Sequence, residues 1–293
     1  MNLPRERIQK LLSKAGYGSR RQIERWIDEG RITVNGKQAK PGEPVSADDT
    51  ICIDDKPVSA KLVASQEHKT LVYHKPEGEV CSRKDEEGRP TVFAHMPKLR
   101  TGRWINVGRL DINTSGLLIM TTDGELAHRL MHPSSEIERE YAVRVFGSPD
   151  QASLKMLTQG VELEDGPAKF QRISEAAGSG ANRWFHVILK EGRNREVRRL
   201  WEAIGCTVTR LMRVRFGVID LPKAIRPGRW EYLTPTQLKA LYESVDLKWV
   251  KPKTPAEKEM FKKRATKAGN ERRRTFNNPN NPYKKKKTSR RRP

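Results

Sequence analysis

From Lys251 to Pro293 the chain carries 17 Lys or Arg against Glu257, Glu259 and Glu271, with few large apolar side chains and two runs of uninterrupted charge, Lys284–Lys287 and Arg290–Arg292. Such a stretch cannot bury enough apolar surface to offset the entropy of ordering it. The end of the chain, 249–293, is therefore read as a basic tail that is disordered when free and able to dock on phosphates through salt-sensitive contacts. Of the formal charge of +22, +14 lies in 251–293 and +8 in the preceding 250 residues. A body that stays basic without its tail points to a polyanionic partner, of which nucleic acid is the commonest.

Cys52, Cys81 and Cys206 are scattered, with no metal-ligand or disulfide spacing. A reducing cytoplasm is the simplest setting. No secretory pattern opens the chain, and its most apolar run, Gly116 to Met120, is too short to cross a bilayer.

Residues 7–60 read as a small unit of two helices followed by short strands. Ile8, Leu11, Leu12 and Ala15 recur at helical spacing before Gly16 and Gly18. Ser19 and Gln22 form a candidate capping box for a second helix, with Ile23, Trp26 and Ile27 as its buried stripe and Gly30 as its stop. Ile32 and Val34 then alternate with polar residues up to Asn35-Gly36, a hairpin-turn pair. The two helices carry Arg5, Arg7, Lys10, Lys14, Arg20, Arg21 and Arg25 on or beside them, some next to helix N-termini that already favour anions. The stretches Arg7-Ile-Gln-Lys-Leu-Leu-Ser-Lys-Ala-Gly16, Gly18-Ser-Arg-Arg21 and Gly30-Arg-Ile-Thr-Val-Asn-Gly36 resemble the S4 RNA-binding domain. That resemblance implies binding to folded RNA, with Arg7, Lys10, Lys14, Arg20 and Arg21 as the expected contacts, and no chemistry.

Residues 61–68 are polar and read as a linker. In 69–248 the segments Leu71–Tyr73, Tyr141–Val145 and Phe185–Leu189 read as strands, and strands and helices do not alternate strictly, so the expected class is α+β rather than doubly wound. Three segments stand out: Lys75-Pro-Glu-Gly78, Gly108-Arg-Leu-Asp-Ile-Asn-Thr-Ser-Gly116 and Glu191-Gly-Arg-Asn-Arg-Glu-Val-Arg-Arg-Leu-Trp201. In the third, Val197, Leu200, Trp201 and Ile204 define a helix face closed by Gly205, and Arg193, Arg195, Arg198 and Arg199 crowd the start. Cations there oppose the helix dipole, so anions must be held nearby, either phosphates or a carboxylate. The second segment presents Asp111 in a Gly-bounded loop. Taken alone, Gly-Arg-Leu-Asp is equally readable as a structural Asp bonded to its own turn.

Together the three segments closely resemble the pseudouridine synthases of the RsuA/RluB type, as do Glu86-Gly-Arg-Pro-Thr-Val-Phe93, Thr121-Thr-Asp-Gly-Glu-Leu-Ala127 and Arg139-Glu-Tyr-Ala-Val143. Arg195 and Glu196, where other branches carry His-Gln, favour the RluB branch. The resemblance implies a catalytic domain on a mixed, largely antiparallel sheet and isomerisation of uridine to pseudouridine in a stem-loop of large-subunit (23S) ribosomal RNA or its precursor particle. It implies a monomer that needs no cofactor or metal. Asp111 inherits the catalytic carboxylate; it can attack C1′, add to the base, or assist proton removal at C2′, and each route needs it ionised. Arg198 matches the residue that pairs with that Asp, Tyr141 the tyrosine that stacks on the target base, and Leu189 the apolar residue that closes the pocket. Lys75, Arg109, Asn113, Thr114, Arg193 and Arg195 are expected to position the RNA or the catalytic loop. The competing readings are a small-subunit synthase and a non-catalytic RNA-binding assembly protein. His128 and His132, at i and i+4, have no third ligand in view and Pro133 follows at once, so they read as surface or loop residues.

Overall fold

The structure, a computed structural model, describes residues 5–46, 48–58, 68–179 and 182–250. Outside the described residues lie 61–67 of the expected linker and 251–293 of the expected tail.

The first unit is built from β1 (Glu6–Arg7), α1 (Ile8–Ala15), α2 (Arg20–Asp28), β2 (Ile32–Val34), β3 (Lys37–Gln38), β4 (Pro44–Val45), β5 (Ile51–Ile53) and β6 (Lys56–Pro57). Ser19 caps α2 by accepting from the Gln22 amide at 3.1 Å, which is the forward half of the expected capping box. Asn35 and Gly36 both take the left-handed conformation, as a two-residue hairpin between β2 and β3 demands. Ile8, Leu12, Ile23, Ile27 and Ile32 close a core of its own. Gly16 ends α1 at φ +92, and a Cβ there would lie 2.7 Å from the Gly102 carbonyl oxygen, so only glycine lets the end of α1 meet the second unit.

In order, the second unit comprises β7 (Thr70–Lys75), β8 (Ile105–Val107), β9 (Ser115–Thr121), α3 (Gly124–Met131), β10 (Arg139–Phe146), α4 (Gln151–Gln159), β11 (Val161–Leu163), β12 (Gly166–Ala168), β13 (Arg172–Ser179), β14 (Asn182–Leu189), α5 (Glu196–Glu202), β15 (Thr207–Phe216), β16 (Ile219–Asp220), β17 (Trp230–Tyr232) and α6 (Pro235–Glu243). One sheet runs β13-β14-β10-β15-β9-β7-β17, with β8 on β9 and β16 on β15. Every pairing in it is antiparallel except β9 with β15, which makes it the mixed, largely antiparallel sheet of an α+β protein.

The apolar run Gly116–Met120 is the centre of β9, not a membrane segment. Leu118 and Met120 join one core, Leu117 and Ile119 the other, so this strand is covered on both faces and needs no polar alternation. No helix among the described residues is long and apolar enough to cross a membrane.

The parallel junction of β9 and β15 is where the sheet's two halves meet. Gly116 pairs with Arg213 there at φ +106, and a Cβ would fall 2.3 Å from the Arg213 carbonyl oxygen. Beside it, β10 carries an irregularity against β15 between Glu140 and Tyr141, the kind of bulge that re-aims side chains next to a site.

Candidate active site

The loop that enters β9 carries Asp111, and its backbone is held by two cations. Lys75, the last residue of β7, is fully buried and donates from Nζ to the carbonyls of Asp111 at 3.1 Å, Ile112 at 3.4 Å and Thr114 at 2.8 Å, besides Pro76 at 3.0 Å. Arg198 of α5 donates from Nη2 to the Asn113 carbonyl at 2.7 Å and from Nη1 to Val208 at 2.9 Å. Every carbonyl from Asp111 to Thr114 thus meets a charged donor. The turn is closed further by the Thr114 amide on Asp111 O and the Gly78 amide on Ile112 O. Burial pulls the Lys75 ammonium below its ordinary pKa, and the charges of Cys81, Glu79, Asp111 and Glu77 oppose the shift.

With its backbone so occupied, the loop turns the Asp111 side chain into a cleft of about 1120 Å³. Among the described residues no side chain forms an ion pair or hydrogen bond with the Asp111 carboxylate. Tyr141 from β10 and Leu189 from β14, both buried, line the same cleft and give it an apolar wall. Arg109, Thr114, Arg193 and Arg195 line it as well.

The structure corrects one expectation. Arg198 forms no ion pair with Asp111; its two terminal nitrogens are committed to the Asn113 and Val208 carbonyls, so it holds the loop, and the Asp111 charge reaches it across space. Burial lowers the Arg198 pKa, Arg195 adds to that, and Asp111 opposes it. Lys75 and Arg198 support the loop, Asn113 is part of it, and none of the three lines the cleft.

The crowded helix start has a carboxylate answer. Arg199 meets Asp165, in the β11–β12 turn, at 2.7 and 2.9 Å, holding its carboxyl down at about 2. Arg193 pairs with Glu191 at 2.9 Å and Asp165 at 3.3 Å, and Arg195 sits left-handed at the N-cap of α5, 3.6 Å from Glu202.

In the first unit, Arg7, Lys10, Lys14 and Arg20 surround a second cleft of about 600 Å³ together with Arg5, Gln9 and Glu24. Glu6 stands among them, pairing with Lys10 at 3.0 Å and Lys14 at 2.6 Å. Arg21 is exposed and does not line this cleft. His128 and His132 are exposed, with ring centroids 5.6 Å apart.

Three cleft residues escaped the sequence reading as functional candidates: Arg139, Arg213 and Glu196. Glu196 is buried, accepts from the Arg193 amide at 3.0 Å, and is pushed up to about 7 by burial, with the adjacent Glu191 carboxyl adding to the shift. The signal was present in Arg139 and Arg213, each an Arg inside a strand-forming stretch, but nothing in the spacing separates a buried guanidinium from a solvated one.

A carboxylate held out from a pinned loop into a basic cleft, at the parallel junction of a mixed sheet, belongs to a known class of RNA-modifying enzyme. Residues 69–203 match the family model described as RNA pseudouridylate synthase, and residues 6–51 match the S4 domain. Over 244 residues the chain is 57% identical to the ribosomal large subunit pseudouridine synthase B of Shigella flexneri and of Escherichia coli (strain K12), covering 83% of this chain and 84% of each relative. The protein of the same name in Pseudomonas aeruginosa is 54% identical, with 83% and 63% covered. A solved crystal structure of a pseudouridylate synthase superposes with a TM-score of 0.57 at 25% identity, over 82% of this chain and 100% of that one. The chain belongs to the RNA pseudouridine synthases, in the RluB group of that family.

Proposed function

We propose that this enzyme isomerises a uridine to pseudouridine within a stem-loop of large-subunit (23S) ribosomal RNA in the cytoplasm, acting as a monomer with Asp111 as its catalytic carboxylate. The reaction breaks the N1–C1′ bond, turns the uracil, joins C5 to C1′, and moves the proton from C5 to N1. It calls for an ionised oxygen at the sugar-base junction and for walls that keep the detached base in place. The observation that carries the reading is the Asp111 carboxylate, unpartnered among the described residues and set in the cleft by a loop whose four carbonyls accept hydrogen bonds from Lys75 and Arg198. Such fixing is the preorganisation that electrostatic catalysis requires.

Tyr141 stacks on the base and Leu189 closes the pocket beside it. A stacked uridine cannot reach this depth, so the nucleotide is flipped out at a cost of a few kcal/mol, offset by contacts elsewhere on the RNA. Arg5, Arg7, Lys10, Lys14 and Arg20 around the cleft of the S4 unit supply part of them. Arg109, at the exposed edge of the catalytic loop, and Arg195 meet the RNA near the target.

Pseudouridine mapping of ribosomal RNA from a strain lacking the gene tests the reading, with complementation by wild type and by Asp111→Asn. One large-subunit pseudouridine is expected to vanish and to return with wild type alone. Loss confined to the small subunit would overturn the large-subunit assignment, and an unchanged map would overturn the enzymatic one.

A further inference from the structure

Four of the eight cations that line the catalytic cleft are paired, Arg89 with Asp85 and Glu87, Lys190 with Glu136, Arg193 with Glu191 and Asp165, and Arg195 with Glu202, while Lys84 and Arg109 are exposed to solvent. The two deeper ones are neither. Arg213 on β15 is 2% exposed, yet no carboxylate among the described residues lies within ion-pair distance of it. Its Nε donates to Leu117 O at 2.8 Å, while its buried Nη2 has no acceptor among the described residues. Arg139 on β10 places Nη1 on the carbonyls of Ile137 at 2.6 Å and Lys190 at 2.7 Å, and its other nitrogens have no acceptor among the described residues. The two guanidinium carbons each stand 5.2 Å from the Phe216 ring, so one aromatic side chain holds both cations in place. Burial lowers the Arg139 pKa, and Arg213 lowers it further.

Arg213 carries the cost of a buried guanidinium with an unmet donor, and the half-buried Arg139, held against the same ring, adds like-charge repulsion. An anionic oxygen acceptor beside the two offsets that repulsion. We propose that Arg139 and Arg213 form a phosphate seat that grips a phosphodiester adjoining the flipped uridine, making them positioning residues for the base at Asp111. Arg is suited to this by the planar fork that meets two phosphate oxygens at once. The seat lies in the cleft that holds Asp111 and Tyr141, so the inference rests on reading that cleft as the RNA site.

The test uses a stem-loop RNA containing the target uridine, with a methylphosphonate placed either 5′ or 3′ of it. Each methylphosphonate follows a 2′-O-methyl nucleotide, and the matching 2′-O-methyl phosphodiester is the control. Dissociation constants are measured for wild type, Arg139→Gln and Arg213→Gln. Neutralising one of the two linkages should weaken wild-type binding by roughly 10- to 100-fold, the worth of a charge-assisted contact. Each variant should lose a comparable factor on the control RNA, and the methylphosphonate should then cost it no more than about twofold further. A purely structural role would leave the methylphosphonate penalty intact in the variants, and that result overturns the proposal. So does wild-type binding that neither methylphosphonate weakens, a measurement that does not depend on the variants folding. A third arm carries 2-thiouridine or 4-thiouridine at the target; if the variants erase its penalty and not that of the methylphosphonate, the oxygen belongs to the base and the phosphate seat is wrong. Pseudouridine formation by wild type on unmodified RNA is followed in parallel, so loss of the enzymatic reading would be seen separately.

Discussion

Lys75 holds Asp111 by the wrong end for a salt bridge: its Nζ donates to the Asp111 backbone carbonyl at 3.1 Å and forms no ion pair with the carboxylate. The arrangement separates two jobs that a single ion pair would confuse. The ammonium fixes where the loop runs, and the carboxylate stays available to substrate. Arg198 repeats the device through Asn113 O.

Lys75→Ala should therefore act on the fold as much as on the chemistry. It leaves buried carbonyls without donors and empties the space under the loop, for an expected loss of at least about 3 kcal/mol. Urea denaturation checks this. Asp111→Asn, which removes no side-chain hydrogen bond or ion pair among the described residues, should stay within about 1 kcal/mol of wild type in the same assay.

Gly116→Ala places a methyl 2.3 Å from the Arg213 carbonyl oxygen and 2.7 Å from its nitrogen, at a φ of +106. Backbone on both sides has to part for it. We expect a destabilisation of about 3 kcal/mol or more and loss of turnover, because the β9–β15 junction sets the position of the catalytic loop. A variant with wild-type stability would show that this junction is not closely packed.

Glu196 gives the stability a pH dependence of definite sign. Its carboxyl titrates near about 7 when folded, against an ordinary value of 4.5. Between those values the folded protein keeps a proton that the unfolded chain has lost, so this group's contribution falls as the pH rises from about 4.5 to about 7 and levels off above that. Glu196→Gln should remove that slope and stabilise the protein at pH 8 by on the order of 1–3 kcal/mol. Denaturation midpoints across the pH range, compared between the two proteins, read the difference directly.

The sequence made the loop of Asp111 legible because its motif is local: Gly108, Asp111 and Gly116 sit within a few residues of one another. The caps and the Asn35-Gly36 hairpin were legible for the same reason. The Arg198 pairing was not, since whether a guanidinium reaches a carboxylate or the carbonyl two residues along depends on the packing of α5 against β15, and no spacing encodes it. The anion facing the crowded helix start was equally remote: Asp165 lies 34 residues before Arg199 and meets it only because the β11–β12 turn folds over α5. Arg139, Arg213 and Glu196 were missed as site residues because alternation along a strand or helix reports which face a residue takes, not whether a charged one is buried on it.

We propose that the carboxylate of Asp111 performs the isomerisation while the surrounding cations only hold its loop and the RNA. Single-turnover conversion of ribosomal RNA stripped of protein, read by mass spectrometry, measures that for wild type and for Asp111→Asn at saturating enzyme. Wild type should convert one large-subunit uridine, and the variant should bind the RNA with near wild-type affinity yet form no pseudouridine. Conversion by Asp111→Asn at a rate within about tenfold of wild type, a difference of only ~1.4 kcal/mol in the barrier, would contradict the account.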